Sequence, residues 1–285
     1  MMQKKYKVVA WAISIALVVG LCPGLAFAAQ TQPGKEGGAL AAGSTAVSAT
    51  SDDDSDGQND TTTGSTAGFQ TIDGKKYYID ANGNKLTGWQ SIEGSRYYFG
   101  DDGVMRTGLL KIGKDHYFID PENGHMASAG FYKNWIISYN GKCYKVPKKT
   151  GNKTKDADKM AKLIVKAVGP KKYWKKAGSS WQLYQVRRAT YYVWVLAWKC
   201  KYTTQGTDYC TPYGVFYAKK FSCAGTAAAM KLVLGKMGYK CKHVNKNKWT
   251  HQWVTLKMDG KTGWSDAYPM GGGAGYGKHP VTKSK

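Results

Sequence analysis

A period of 20 residues beginning at Gly68 constrains this chain more than any other feature. The stretch Gly68-Phe69-Gln70-Thr71-Ile72-Asp73-Gly74-Lys75-Lys76-Tyr77-Tyr78 returns as Gly88-Trp89-Gln90-Ser91-Ile92-Glu93-Gly94-Ser95-Arg96-Tyr97-Tyr98. A third copy runs from Gly108 through His116-Tyr117, and a frayed fourth opens at Gly130-Phe131-Tyr132. Self-similarity at a fixed interval signals a repeated supersecondary unit. Each copy reads as a short strand, a Gly turn and a Tyr-rich strand, closed by Asn82-Gly83 or Asp102-Gly103, which predicts a β-hairpin. One hairpin is marginal in water, so the copies are expected to stack as a small solenoid.

This stretch, 68–147, resembles the cell-wall-binding and glucan-binding repeats of Gram-positive surface proteins and the carbohydrate-binding repeats of large clostridial toxins. The resemblance implies ligand binding by the repeat aromatics, with Tyr77, Tyr78, Trp89, Tyr97, Tyr98 and Tyr117 as candidates. In the choline-binding branch a Trp precedes the Tyr pair. Here Lys76, Arg96 and His116 stand there, and a cation repels the quaternary ammonium that an aromatic face attracts. The expected partner is therefore a cell-wall polysaccharide or an anionic wall polymer.

The N-terminus predicts export. Lys4, Lys5 and Lys7 precede the uncharged run Val8 to Leu21, and Ala26-Phe27-Ala28 forms a small-x-small cleavage site. Residues 1–28 read as a signal peptide, too short in its apolar run for a stable anchor once cleaved. Residues 29–67 are rich in Ala, Gly, Ser, Thr and Asp, with no aromatic residue, and read as a disordered acidic linker. The net charge of +23 is uneven: residues 130–285 hold 31 Lys and Arg against five Asp and no Glu. Such a field attracts polyanions. For an exported protein these are wall polymers and not nucleic acid. Five cysteines remain in the mature chain, an odd number that leaves one over if the others pair. Cys200 with Cys210, and Cys143 with Cys241, are the pairings considered.

Residues 148–285 read as an α+β domain. Met160, Ala161, Leu163, Ile164 and Ala167 have helical spacing within Asp156 to Val168. Trp181 to Lys199 suits a helix, though its aromatic content suits a strand too. A helix-forming run follows Cys223, and strands are expected over Lys240 to Asn245, Thr250 to Met258 and Thr262 to Tyr268, an α+β order. Cys223 at a helix start sits in the positive end of the helix dipole, which favours thiolate. Asp259-Gly260 is a two-residue hairpin turn. It pairs Met258 with Lys261, which sets His251 and Asp266 on one face as diagonal neighbours. An Asp beside a His fixes the imidazole tautomer and supports imidazolium, and imidazolium beside a thiolate is the activated pair of cysteine hydrolases.

Cys223-x-Gly225-x-Ala227, His251-x-Trp253 and Trp264-x-Asp266, in that order, resemble the transglutaminase-like domain of papain-like cysteine enzymes. The resemblance covers about 150–270. It implies a papain-like α+β fold, nucleophile Cys223, base His251 and orienting Asp266, acting on an amide of a peptide or protein with no cofactor or metal. Phe221 departs from the Gly the family often has. The expected protein is multidomain: a β-hairpin repeat solenoid followed by a transglutaminase-like domain, secreted and wall-associated, with hydrolysis favoured over amine transfer. The alternatives are an NlpC-type peptidoglycan endopeptidase, which shares Cys-x-Gly at a helix start, and a non-catalytic wall-binding adhesin.

Overall fold

The computed structural model describes residues 67–245 and 250–280. The signal and linker readings, 1–28 and most of 29–67, fall outside the described residues. Residues 67–106 and 107–280 fall in separate compact units.

The first unit holds two hairpins, β1 (Gly68–Ile72) with β2 (Lys75–Ile79) and β3 (Gly88–Ile92) with β4 (Ser95–Phe99). Their turns, Asp73-Gly74 and Glu93-Gly94, have positive φ at both residues, the type I′ geometry whose twist matches the flanking strands. The copies stack as the period predicts. The Met105 amide donates to the Lys76 carbonyl at 2.7 Å, and the Phe69 and Tyr97 rings lie 5.0 Å apart. Tyr77, Ile79 and Val104 form a small core between them.

The second unit begins with a five-stranded antiparallel sheet in the order β5-β6-β9-β8-β7. Its strands are β5 (Gly108–Ile112), β6 (Asp115–Ile119), β7 (Gly130–Tyr132), β8 (Trp135–Ile137) and β9 (Lys142–Lys145). The third and fourth hairpins are thus joined by β9 and pack with the C-terminal half. Their strands replace the Tyr pair by Tyr117-Phe118 and Ile136-Ile137, which bury fully apolar side chains: Ile136 lies in the main core, and the Tyr192 hydroxyl donates to the Ile137 carbonyl at 2.6 Å.

Beyond the sheet come α1 (Lys153–Val168), α2 (Lys171–Trp174), α3 (Trp181–Trp198), the two-residue parallel pair β10 (Lys201–Tyr202) and β11 (Lys220–Phe221), and α4 (Cys223–Lys236). A four-stranded antiparallel sheet closes the chain: β12 (Cys241–Val244), β13 (Trp253–Met258), β14 (Lys261–Asp266) and β15 (Gly273–Tyr276), in that order. The unit mixes helix and sheet. Helix α4 packs against α1, α3 and β13, burying Met230, Val233 and Leu234 beside Ile164, Val193 and Met258. α3 is a helix and not a strand. It buries Leu183, Val186, Ala189, Val193 and Leu196 at helical spacing, while its other aromatics ring that face.

The hairpin register is the expected one, with Met258 opposite Lys261 and Val254 opposite Ser265. Asp259 at its tip has φ 51° and does more than turn the chain. Its carboxylate accepts from the Gln182 and Leu183 amides at 3.1 and 3.0 Å, and from the Tyr276 hydroxyl at 2.7 Å. It therefore caps α3, whose own N-cap Ser180 makes no side-chain capping bond, and ties helix to sheet. Strand β15 lies beyond the last strand expected from sequence, which ends at Tyr268. It pairs antiparallel with β14, setting Trp264 opposite Gly275 and Asp266 opposite Gly273.

The disulfide pairings are not formed. All five described cysteines are free thiols. Cys200 donates to the Leu196 and Val215 carbonyls and Cys210 to Thr207, while Cys143 and Cys241 lie in different hydrophobic clusters.

Candidate active site

The candidate nucleophile is positioned by backbone. Cys223 is the first residue of α4, and N-cap Ser222, with extended φ −141°, accepts from the Gly225 amide at 3.4 Å. The preceding turn, Asp208–Cys210, is fastened to this helix start: the Tyr209 carbonyl accepts from Ser222 N at 3.1 Å and from Ser222 Oγ at 3.2 Å. Gly225 permits that approach, since a Cβ there would come within 2.3 Å of the Tyr209 oxygen. The Cys-x-Gly pattern thus has a packing cause in this chain.

The candidate base, His251, lies just before β13. Its Nε2 is 2.6 Å from Asp266 Oδ2, at the end of β14. Asp266 is 2 % exposed, and Tyr268 N donates to its Oδ1 at 2.9 Å. Burial opposes its charge, but hydrogen bonds from His251 and His279 outweigh that and hold it below the usual carboxylate range. A carboxylate only accepts, so Nε2 of His251 carries the proton and Nδ1 is left for Cys223. The Asp266 bond, first, and the bond to Cys223 raise His251 to about 9. Burial pushes the Cys223 thiol up, yet the His251 bond and the Gln252 and Ala224 amides prevail and lower it. Elsewhere burial drives thiols the other way, Cys143 to about 12 and Cys241 to about 11. At neutral pH the geometry therefore favours a thiolate–imidazolium pair.

Cys223, His251, Tyr202, Tyr209, Lys231 and Tyr268 are among the walls of a cleft of about 1090 Å³. The three residues expected from sequence are thus brought together, and one further residue joins them. His279 is 4 % exposed, with Nε2 3.3 Å from Asp266 Oδ2. It stacks on Trp253 at 4.4 Å and meets Trp264 edge-on at 4.6 Å. No pattern in the sequence marks it, because β15, which carries the chain back to the site, has no periodic signal. Among the described residues, His251, Asp266 and His279 are the one cluster of potential metal ligands. The 2.6 Å between His251 Nε2 and Asp266 Oδ2 is closer than two ligands each about 2 Å from a tetrahedral ion approach, and is a hydrogen-bond distance.

The repeat aromatics divide into two sets. Tyr77 and Tyr97, candidates for ligand contact and the first Tyr of each pair, are buried between hairpins. Tyr78, Trp89, Tyr98 and Tyr117 are half-buried. Trp89 meets Tyr98 at 5.2 Å, and the Arg96 guanidinium caps the Trp89 face at 4.4 Å. Lys85 likewise stands over Tyr77 at 4.2 Å.

These hairpins are of a known class: residues 86–131 match the choline-binding repeat family, and residues 67–85 match the cell-wall-binding repeat. The stretch 67–131 is a region of such repeats. Among solved structures, the chain is similar to choline-binding protein F of Streptococcus pneumoniae, including a crystal grown with a peptidoglycan analogue, at 30 % identity over 30 % of each chain with a TM-score of 0.27. It is also similar to the choline-binding domain of Spr1274 of the same species, at 24 % identity over 28 % of this chain and 98 % of that one, TM-score 0.27. Truncated alternansucrase of Leuconostoc mesenteroides is 28 % identical over 30 % of this chain and 8 % of that one, TM-score 0.24. The chain spans about 30 % of the length of the first of these. No curated protein matches it.

Proposed function

We propose that this chain is a secreted, wall-associated cysteine enzyme of transglutaminase-like character that cleaves an amide bond, with its repeats holding it to wall polysaccharide. The observation that carries the reading is the chain of contacts from Cys223 at the α4 N-terminus through His251 to buried Asp266. The Cys223 thiolate attacks the amide carbonyl and forms a C–S bond, and the Cys223 N–H at the helix start faces the developing oxyanion. The His251 imidazolium gives its proton to the leaving amine as the C–N bond breaks. His251 then deprotonates a water that hydrolyses the thioester, returning the thiolate and releasing a carboxylic acid. Asp266 keeps its charge throughout and orients the ring. Tethering raises the effective concentration of the enzyme at the wall.

A second reading, a wall-binding protein without catalysis, is favoured by the matches to known proteins, whose family models cover the repeats alone. Alkylation separates the two. Under the enzyme reading, iodoacetamide modifies Cys223 rapidly at neutral pH, as read by peptide mass spectrometry, and His251→Ala slows it to the rate of an ordinary thiol. Equal rates in both proteins would sink the enzyme reading. Incubation with peptidoglycan, and separately with casein plus a labelled amine, then distinguishes released stem peptides from amine transfer.

A further inference from the structure

We infer that His279 is a positioning residue of this site: its Nε2–H holds the Asp266 carboxylate in the plane that presents Oδ2 to His251. The inference rests on the enzyme reading above. Its geometry is that of a two-point clamp. Tyr268 N holds Oδ1 at 2.9 Å, and His279 Nε2 reaches Oδ2 at 3.3 Å, its ring 5.6 Å from that of His251. Oδ2 then retains a lone pair for His251 at 2.6 Å. A carboxylate with one anchored oxygen can turn about its Cβ–Cγ bond, and the second anchor removes that freedom.

The clamp is itself rigid. His279 is buried against Trp253 at 4.4 Å and 21°, and against the edge of Trp264 at 4.6 Å. Trp253 also stacks on His251, at 5.9 Å and 24°, so one indole registers both histidines. Trp264 pairs with Gly275 of β15. The segment Gly271 to His279 is thus what delivers the second anchor. This also explains a buried histidine outside the Cys-His-Asp set.

The titratable groups facing the network are His251, His279 and Tyr268 around Asp266, with Cys210, Tyr202, Tyr209, Lys231, Lys236 and His243 lining the cleft around Cys223. None of the cleft residues replaces a donor to Oδ2.

The test uses the full chain and the pH profile of Cys223 alkylation by iodoacetamide, which needs no knowledge of the substrate. Three variants separate donor from filler, with thermal melts to verify folding. His279→Phe keeps an aromatic ring between the two tryptophans and removes the donor. Its alkylation curve is expected to move to higher pH, with the rate at pH 6 falling about tenfold for each unit of displacement. His279→Gln, whose amide nitrogen can replace Nε2–H, is expected to remain near wild type, and His279→Ala to fall at least as far as Phe. In the wild type, imidazole ¹H–¹⁵N correlation spectra are expected to place a proton on Nε2 of His279. A wild-type curve in His279→Phe, loss in a folded His279→Gln, or an unprotonated Nε2 each overturns the inference. A wild-type protein whose Cys223 labels no faster than in His251→Ala would sink the parent reading instead, so the two failures are distinct.

Discussion

Helix α4 contains two glycines whose replacement by alanine should act in opposite directions. At Gly225 a Cβ would lie 2.3 Å from the Tyr209 oxygen, whereas ordinary contact begins at 3.4 Å, so about 1.1 Å must be found between helix and turn. Forcing a methyl into a packed site costs about 1–3 kcal/mol. The displaced carbonyl also serves two hydrogen bonds from Ser222, each worth about 1 kcal/mol, of which we count about one as lost. Alanine returns about 1 kcal/mol of helix propensity. The net expectation for Gly225→Ala is a loss of about 2 kcal/mol, or roughly 4–8 °C in Tm for a unit of this size. Gly235, in the last turn of the same helix, meets nothing within 4 Å. Gly235→Ala should therefore stabilise by about 0.5–1 kcal/mol. Thermal denaturation followed by circular dichroism reads both, and Cys223 alkylation reads the local consequence, because the Tyr209 turn borders the cleft. A Gly225→Ala protein as stable as wild type would refute the packing account of the Cys-x-Gly pattern.

Two further outcomes are expected. Asp259→Ala removes the acceptor of two α3 amides and of the Tyr276 hydroxyl, and should cost about 2 kcal/mol in urea denaturation; a change under 0.5 kcal/mol would dismiss it as a cap. Because Arg96 occupies the Trp89 face, excess free choline should fail to elute the protein from purified cell walls; elution by choline would show that the guanidinium yields.

The site was legible in the sequence wherever local rules sufficed. The Asp259-Gly260 turn fixes the register of β13 and β14, and so which ends of the two strands carry His251 and Asp266. A cysteine before an alanine-rich run marked the start of α4, and a 20-residue interval marked the hairpins. What tertiary structure alone decided are the contacts whose partners are distant in sequence and carry no period. The choice of helix for 181–198 depended on which face the core covered. The joining of the third and fourth hairpins to each other depended on β9. His279 reached Asp266 through the pairing of β15 with β14. Backbone preference and side-chain alternation act over a few residues and can be read in order along the chain. Burial is a property of the assembled core, and so it selected the fourth member of the site.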